Sequence, residues 1–208
     1  MFKKLIILFL LFFVMIGCIT PAGFGKVKVT KDSFKNIHNV NLKMYVKSEE
    51  AMPGAPFESM KYGVILDFTR EIGINKINPT VTQFTIYATS LNRPIEKSGF
   101  VKIGDKVSPL IFGNTLSERV TTISSGATGN NTQNVSNSQN VHINVKSHAH
   151  FELKGTFLLK GEDEEAIRNA NEFSIRLYSG TEPITISFVG SDLAKFKEYL
   201  NAKPEAGN

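Results

Sequence analysis

The sequence predicts a mainly β fold: an antiparallel β-sandwich or open barrel with two short helices, at about 162–171 and 191–202. Three observations predict it. Apolar and polar residues alternate with a period of two in nine or ten short segments, the pattern of a strand with one face on a core. Gly, Pro and Asn punctuate the gaps between them. Only two stretches show helical spacing, too few to supply the crossovers of a parallel α/β sheet.

Gly25 to Thr30 and Asn39 to Lys47 open the series, the second with Val40, Leu42, Met44 and Val46 on one face. Ala51 to Pro56 reads as a loop around Pro53-Gly54. Tyr62 to Arg70 alternates again, with Val64, Leu66 and Phe68 together, and after the Asn78-Pro79 turn Val81 to Ser90 places Phe84, Ile86 and Ala88 on one side. Phe100 to Ile103 and Lys106 to Phe112 flank Gly104-Asp105, where glycine can take the positive φ that a tight hairpin needs.

Residues 121–140 differ from the rest. They carry no charge and no aromatic ring, and are mostly Thr, Ser, Asn, Gln and Gly. So little apolar surface offsets ordering entropy poorly, and the segment reads as a mobile polar loop or the extended tip of a hairpin. Its echo, Thr132-Gln133-Asn134-Val135 then Ser138-Gln139-Asn140-Val141, has two copies where a solenoid needs three.

Strand character returns in Val141 to Val145 and Phe151 to Leu159. Glu162 to Asn171 reads as a helix, with acids at its positive end and Ala166, Ile167 and Ala170 as its buried stripe. Phe173, Ile175 and Leu177, then Ile184, Ile186 and Phe188, give two more strands. Ser191 is the expected N-cap of a last helix with Leu193, Phe196, Tyr199 and Leu200 at helical spacing, and 204–208 is a tail.

The amino terminus has a separate logic. Lys3 and Lys4 precede an uncharged apolar run from Leu5 to Ile16, the layout of a secretory signal. Twelve residues fall short of the roughly 20 that a spanning helix needs. The run ends at Gly17-Cys18, and Cys18 is the single cysteine of 208 residues. Met15-Ile16-Gly17-Cys18 resembles the lipobox of bacterial lipoproteins, with Met where the family usually has Leu. The resemblance covers the first eighteen residues. It implies removal of 1–17, lipidation of Cys18, and a tether of 18–26 ahead of one β-rich domain, 27–203. It also implies an exported protein held at a membrane of the cell envelope, the outer one if the cell is Gram-negative, since Ile19 is not the Asp associated with inner-membrane retention. Ordinary cleavage after Thr20-Pro21-Ala22 and an uncleaved anchor are the alternatives.

Loss of residues 1–17 lowers the formal charge from +5 to +3 with the two lysines. That spread of charge lacks the basic face of a nucleic-acid binder, so no nucleic acid is expected as a partner. One cysteine excludes an intramolecular disulfide and a Cys-rich metal site.

Candidate chemistry centres on His142, His148 and His150. If 141–151 is one strand, their even positions share a face with Asn144 and Lys146. His148 and His150 are the candidate ligands for Zn²⁺ or Cu²⁺, with Glu152 the nearest third donor. His142 is about 20 Å from His148 along an extended strand, too far to join them without a bend. The competing reading is a polar strand face that happens to carry histidine. HExxH, the serine-hydrolase elbow and the phosphate-loop glycine motifs are absent from the sequence. Glu162-Asp163-Glu164-Glu165 fits helix-start electrostatics better than two carboxyls across a cleft. Tyr62, Tyr87 and Tyr178 are either an outward contact patch or core residues.

The function expected is that of a non-enzymatic binding or envelope-organising module with no resident cofactor. A metal-binding protein using His148 and His150 is one alternative. A subunit of a larger envelope complex, joined through a strand edge near 141–151, is the other.

Overall fold

The computed structural model describes residues 23–74, 76–128 and 142–204. Among these residues ten strands form two antiparallel sheets. The larger has six, in the order β1 (Val27–Asp32), β2 (Ile37–Ala51), β3 (Lys61–Ile72), β4 (Val81–Ala88), β8 (His142–Leu158) and β7 (Ile111–Thr128). The smaller has four, in the order β10 (Glu182–Phe188), β9 (Phe173–Ser179), β5 (Ile95–Ile103) and β6 (Lys106–Pro109). The fold is therefore a β-sandwich with two short helices, α1 (Gly161–Asn169) and α2 (Gly190–Asn201).

Alternation builds the core. Val40, Leu42, Met44 and Val46 of β2, Val64, Leu66 and Phe68 of β3, and Phe84 and Ile86 of β4 face Val101, Ile175, Leu177, Ile184 and Ile186 of the smaller sheet in one buried cluster. Helix α2 inserts Phe196 into this cluster. Its ring centroid lies 4.8 Å from Phe68 of the larger sheet and 5.0 Å from Phe173 of the smaller one. Phe173 itself stacks on Phe188 at 4.3 Å. One helical aromatic thus bridges the two sheets.

The β5–β6 hairpin turns through Gly104-Asp105, with Gly104 at φ +56°, the positive value expected there. A tighter demand falls on Gly99, where β5 bulges: a Cβ there would sit 2.7 Å from the Arg176 carbonyl and 2.8 Å from the Phe112 ring.

Several local expectations are corrected. Lys106 to Phe112 is not one strand: β6 ends at Pro109 and β7 starts at Ile111 in the other sheet, with the Leu110 N–H held by the Gly99 carbonyl at 2.9 Å. Ser191 is not the N-cap of α2. The Val189 carbonyl already accepts from Asp192 and Leu193, so the ladder begins earlier. Of the two readings open for Tyr62 the core one holds: it is buried, because it shares the even parity of Val64 and Leu66 and its hydroxyl accepts from Asn92 Nδ2 at 2.6 Å. Of the two readings open for the polar segment, the hairpin one holds for 121–128: Thr121 to Thr128 continue β7 in register with His142 to Ala149. Threonine favours strands, and the partner ladder supplies the backbone bonds that composition alone does not reveal. The rest of the polar segment, 129–140, lies outside the described residues, as do Cys18 and the signal-like run.

Candidate functional site

The feature that departs from a plain sandwich is the β7–β8 ribbon. Strand β4 pairs with β8 only from Leu158 up to Phe151, opposite Ala88. Beyond that point β8 has β7 as its one strand neighbour among the described residues, in a continuous register from Val120↔His150 to Thr128↔His142. Nine residues on each side therefore project past the sheet, about 30 Å at ~3.3 Å per residue. On it Thr121, Thr122, Ser147 and Ala149 are exposed, and Ile123 is 69% exposed.

A charged stripe lies at the root of the ribbon, on the outer face of the larger sheet. Register places Glu118 directly opposite Glu152, a repulsive pairing. Lys154 resolves it by donating to Glu118 and, at 2.7 Å, to Glu152 Oε2. The His150 Nε2–H donates to Glu152 Oε1 at 2.9 Å, and the His150 ring lies 5.6 Å from that of Tyr87. Burial alone pulls the Glu152 pKa upward, but the hydrogen bonds from Lys154 and His150 outweigh it and hold the carboxyl below its ordinary value. The bonds to Glu118 and Glu152 push the Lys154 ammonium up to about 12.

This geometry bears on the expected histidine ligands. Glu152 is near His150, as its parity requires, but its two oxygens are committed to His150 and to a lysine that stays protonated. To serve as a third ligand it would have to leave both, with an ammonium beside the cation. Among the described residues no group of three or more His, Cys, Asp or Glu is placed to hold a metal ion. The side chains of His142 and His148 lie outside the described residues.

A second polar cluster, which the sequence reading missed, is buried. Arg70 occupies the inward parity of β3. It is 1% exposed, its Nη2 donates to the carbonyls of Tyr199 (3.1 Å) and Leu200 (2.9 Å), and its Nη1 lies 3.6 Å from Glu164 Oε2. Glu164 Oε1 accepts the Thr80 N–H at 2.6 Å, and Asp163 accepts from Ser108 at 2.9 Å and Lys106 at 3.2 Å. Two of the four helix-start acids thus lock α1 to both sheets. The signal was available, since a charged residue on the apolar parity of a strand must be paired if it is to be buried.

Several shallow concavities lie among the described residues. One of about 240 Å³ lies over Gly155, lined by Gln83, Thr85, Leu116 and Lys154, and another of about 240 Å³ is lined by Glu49, Lys102, Glu172 and Arg176. Both fall below the ~300–1,000 Å³ of typical small-molecule sites, whereas a third of about 340 Å³, lined by Phe24, Lys26, Lys28, Asn41, Lys43 and Asp67, reaches the lower end of that range. Tyr178 is half-buried with its ring edge-on to Phe100 at 6.4 Å, and Tyr87 is half-buried against His150, so the three tyrosines form no common patch. Comparison with protein-family models, curated proteins and solved structures found no match.

Proposed function

We propose that the protein is an exported, lipid-anchored module of the cell envelope that works by binding and organising, with the β7–β8 ribbon as its working element. The observation that carries this reading is the ribbon itself. A two-stranded ribbon buries too little to be stable on its own merits. One that extends nine residues past its sheet adds nothing to the sandwich core, so its use lies in contacts outside the chain. The charged stripe at its root gives that element a fixed base.

The anchoring half of the reading rests on Lys3, Lys4, the apolar run and Met15-Ile16-Gly17-Cys18. Several acyl chains on one cysteine hold a protein at a bilayer where a single chain is marginal. Two measurements test the whole. Intact-mass analysis of the native protein should show a chain starting at an acylated Cys18; an unmodified start at Gly23 refutes the anchor. Replacing residues 120–150 with a two-residue turn should leave the thermal transition of the sandwich in place and abolish the protein's co-migration with envelope assemblies on native gels. Unchanged migration refutes the role of the ribbon.

A further inference from the structure

A turn at Gly23–Gly25 folds the chain onto the edge of the larger sheet just ahead of β1. The Gly25 N–H donates to the Lys43 carbonyl at 2.8 Å. The Phe24 ring meets Tyr45 edge-on at 6.4 Å, and Lys43 Nζ lies 5.5 Å over its centroid. Strand β1 then pairs with β2 from Val27↔Leu42 onward, with Lys28 opposite Asn41. Lys26, one residue upstream of that ladder, falls beside Lys43. Val27 and Leu42 take the inward parity, so Lys26, Lys28 and Lys43 share the outer face. With Phe24, Asn41 and Asp67 they line the concavity of about 340 Å³.

Like charges set side by side on one sheet face repel. Elsewhere on this face the chain settles such a conflict itself, with Lys154 joining Glu118 and Glu152. Here it does not. Among the described residues Lys26, Lys28 and Lys43 make no ion pair, although Asp67 stands directly opposite Lys43 in the β2–β3 register. Three ammonium groups against one carboxylate leave the concavity with an excess of two positive charges. Asn41 adds to it. Its Oδ1 is taken by the Thr69 hydroxyl at 2.9 Å, which leaves its amide N–H groups as further donors. A cradle of lysine ammoniums and amide donors matches the charge and the acceptor oxygens of a phosphate.

The place of the concavity in the chain says where that phosphate comes from. Gly23 stands at its rim, and Cys18 is five residues upstream, a reach of at most ~18 Å. A lipid-anchored Cys18 therefore keeps these lysines beside the headgroup layer, which adds about 5–7 Å to each side of the hydrocarbon. We propose that this concavity is a headgroup site for anionic phospholipid: Lys26, Lys28 and Lys43 hold the phosphate, and Phe24 turns an apolar wall toward the lipid. Acyl chains and a basic patch are the two signals that together fix a protein to a membrane, and the second also sets how the domain is turned on it. The proposal rests on the anchored reading above.

The test places the full acylated chain on vesicles of phosphatidylcholine alone or of phosphatidylcholine with phosphatidylglycerol. A water-soluble acetylating reagent then reads each lysine by peptide mass spectrometry. Lys43 is expected to react several-fold more slowly on the anionic vesicles, while Lys102, on the outer face of the smaller sheet, reacts equally on both. In Lys26→Gln/Lys28→Gln, two exposed positions whose change leaves the thermal transition in place, the slowing at Lys43 should disappear. Equal rates at Lys43 on both vesicles, or slowing that survives the double substitution, overturn the headgroup site and leave the anchor standing. Slowing shared by Lys102 means diffuse attraction of a positive domain, and overturns it too. Equal protection of the detergent-solubilised chain by inorganic phosphate assigns the concavity to a soluble phosphate and overturns the lipid source. An unacylated chain in the intact-mass spectrum overturns the anchor instead, and the two vesicle compositions still decide the site.

Discussion

The guanidinium of Arg70, in the middle of the larger sheet, donates to the backbone carbonyl of Leu200 at 2.9 Å across 130 residues of sequence. The last turn of α2 leaves carbonyls without intrahelical partners, and its final turn carries no basic side chain of its own. Arg70 supplies that cation from β3 and also lies 5.3 Å over the Tyr199 ring. The same group faces Glu164 of α1, so one side chain ties both helices to the sheet.

Arg70→Met should therefore be among the most damaging single substitutions, costing about 3–5 kcal/mol because it leaves the Glu164 carboxylate buried without its cation. Arg70→Met combined with Glu164→Leu should recover a large part of that loss, since both charges then disappear together. Urea denaturation of the native chain and the two variants checks this. Equal destabilisation of the single and double variants would show that the helix-end carbonyls, not the ion pair, are what Arg70 serves.

Much of the fold was legible because a period of two is read directly from side chains. Val40 to Val46 and Val64 to Phe68 face inward as their parity requires. What escaped depends on partners rather than on local pattern. Lys106 to Phe112 is continuous in sequence, yet Leu110 carries the chain from one sheet to the other. Thr121 to Thr128 are polar enough to read as loop, and only the facing strand makes them a ladder. In the candidate site, Glu152 beside His150 followed from parity. Glu118 did not, because register across two strands is invisible to a one-strand reading.

The charged stripe predicts an acid-side weakness. Glu152 has its folded pKa below the ordinary 4.5, so it contributes stability above the unfolded value that is lost as pH falls through the folded one. Lys154 runs the other way. Its pKa of about 12 against 10.5 gives stability present below 10.5 and lost as pH rises through 12. Melting temperatures from pH 7 down to pH 3 should fall less steeply for Glu152→Gln than for the native chain. Identical slopes would mean that other carboxylates carry the acid transition.

Gly99 offers a steric prediction. Its virtual Cβ meets a backbone carbonyl, Arg176 O at 2.7 Å, which cannot swing aside as a side chain can. Gly99→Ala should cost about 1–3 kcal/mol by forcing β5 away from β9. Hydrogen exchange of the β5–β9 ladder should quicken in the variant, and unchanged protection would show that the bulge at Gly99 absorbs the methyl group.

Glu50 predicts how the outer strand of the smaller sheet is protected. Strand β10 is an edge, and an edge N–H normally needs water or a new partner. Here the Thr185 N–H donates to Glu50 Oε2 at 2.6 Å, and the Thr185 hydroxyl donates to Oε1 at 2.6 Å while accepting from Arg176 Nε at 2.9 Å. Thr185 is itself buried, so Glu50→Ala strands a donor without a partner, at about 1–3 kcal/mol. Glu50→Gln keeps one acceptor oxygen and should cost less. The Thr185 amide reads the difference: its exchange should accelerate strongly in the alanine variant and weakly in the glutamine one. Since β2 delivers Glu50 from the opposite sheet, the alanine variant should also loosen the junction between the two sheets, which faster exchange along β10 beyond Thr185 would register.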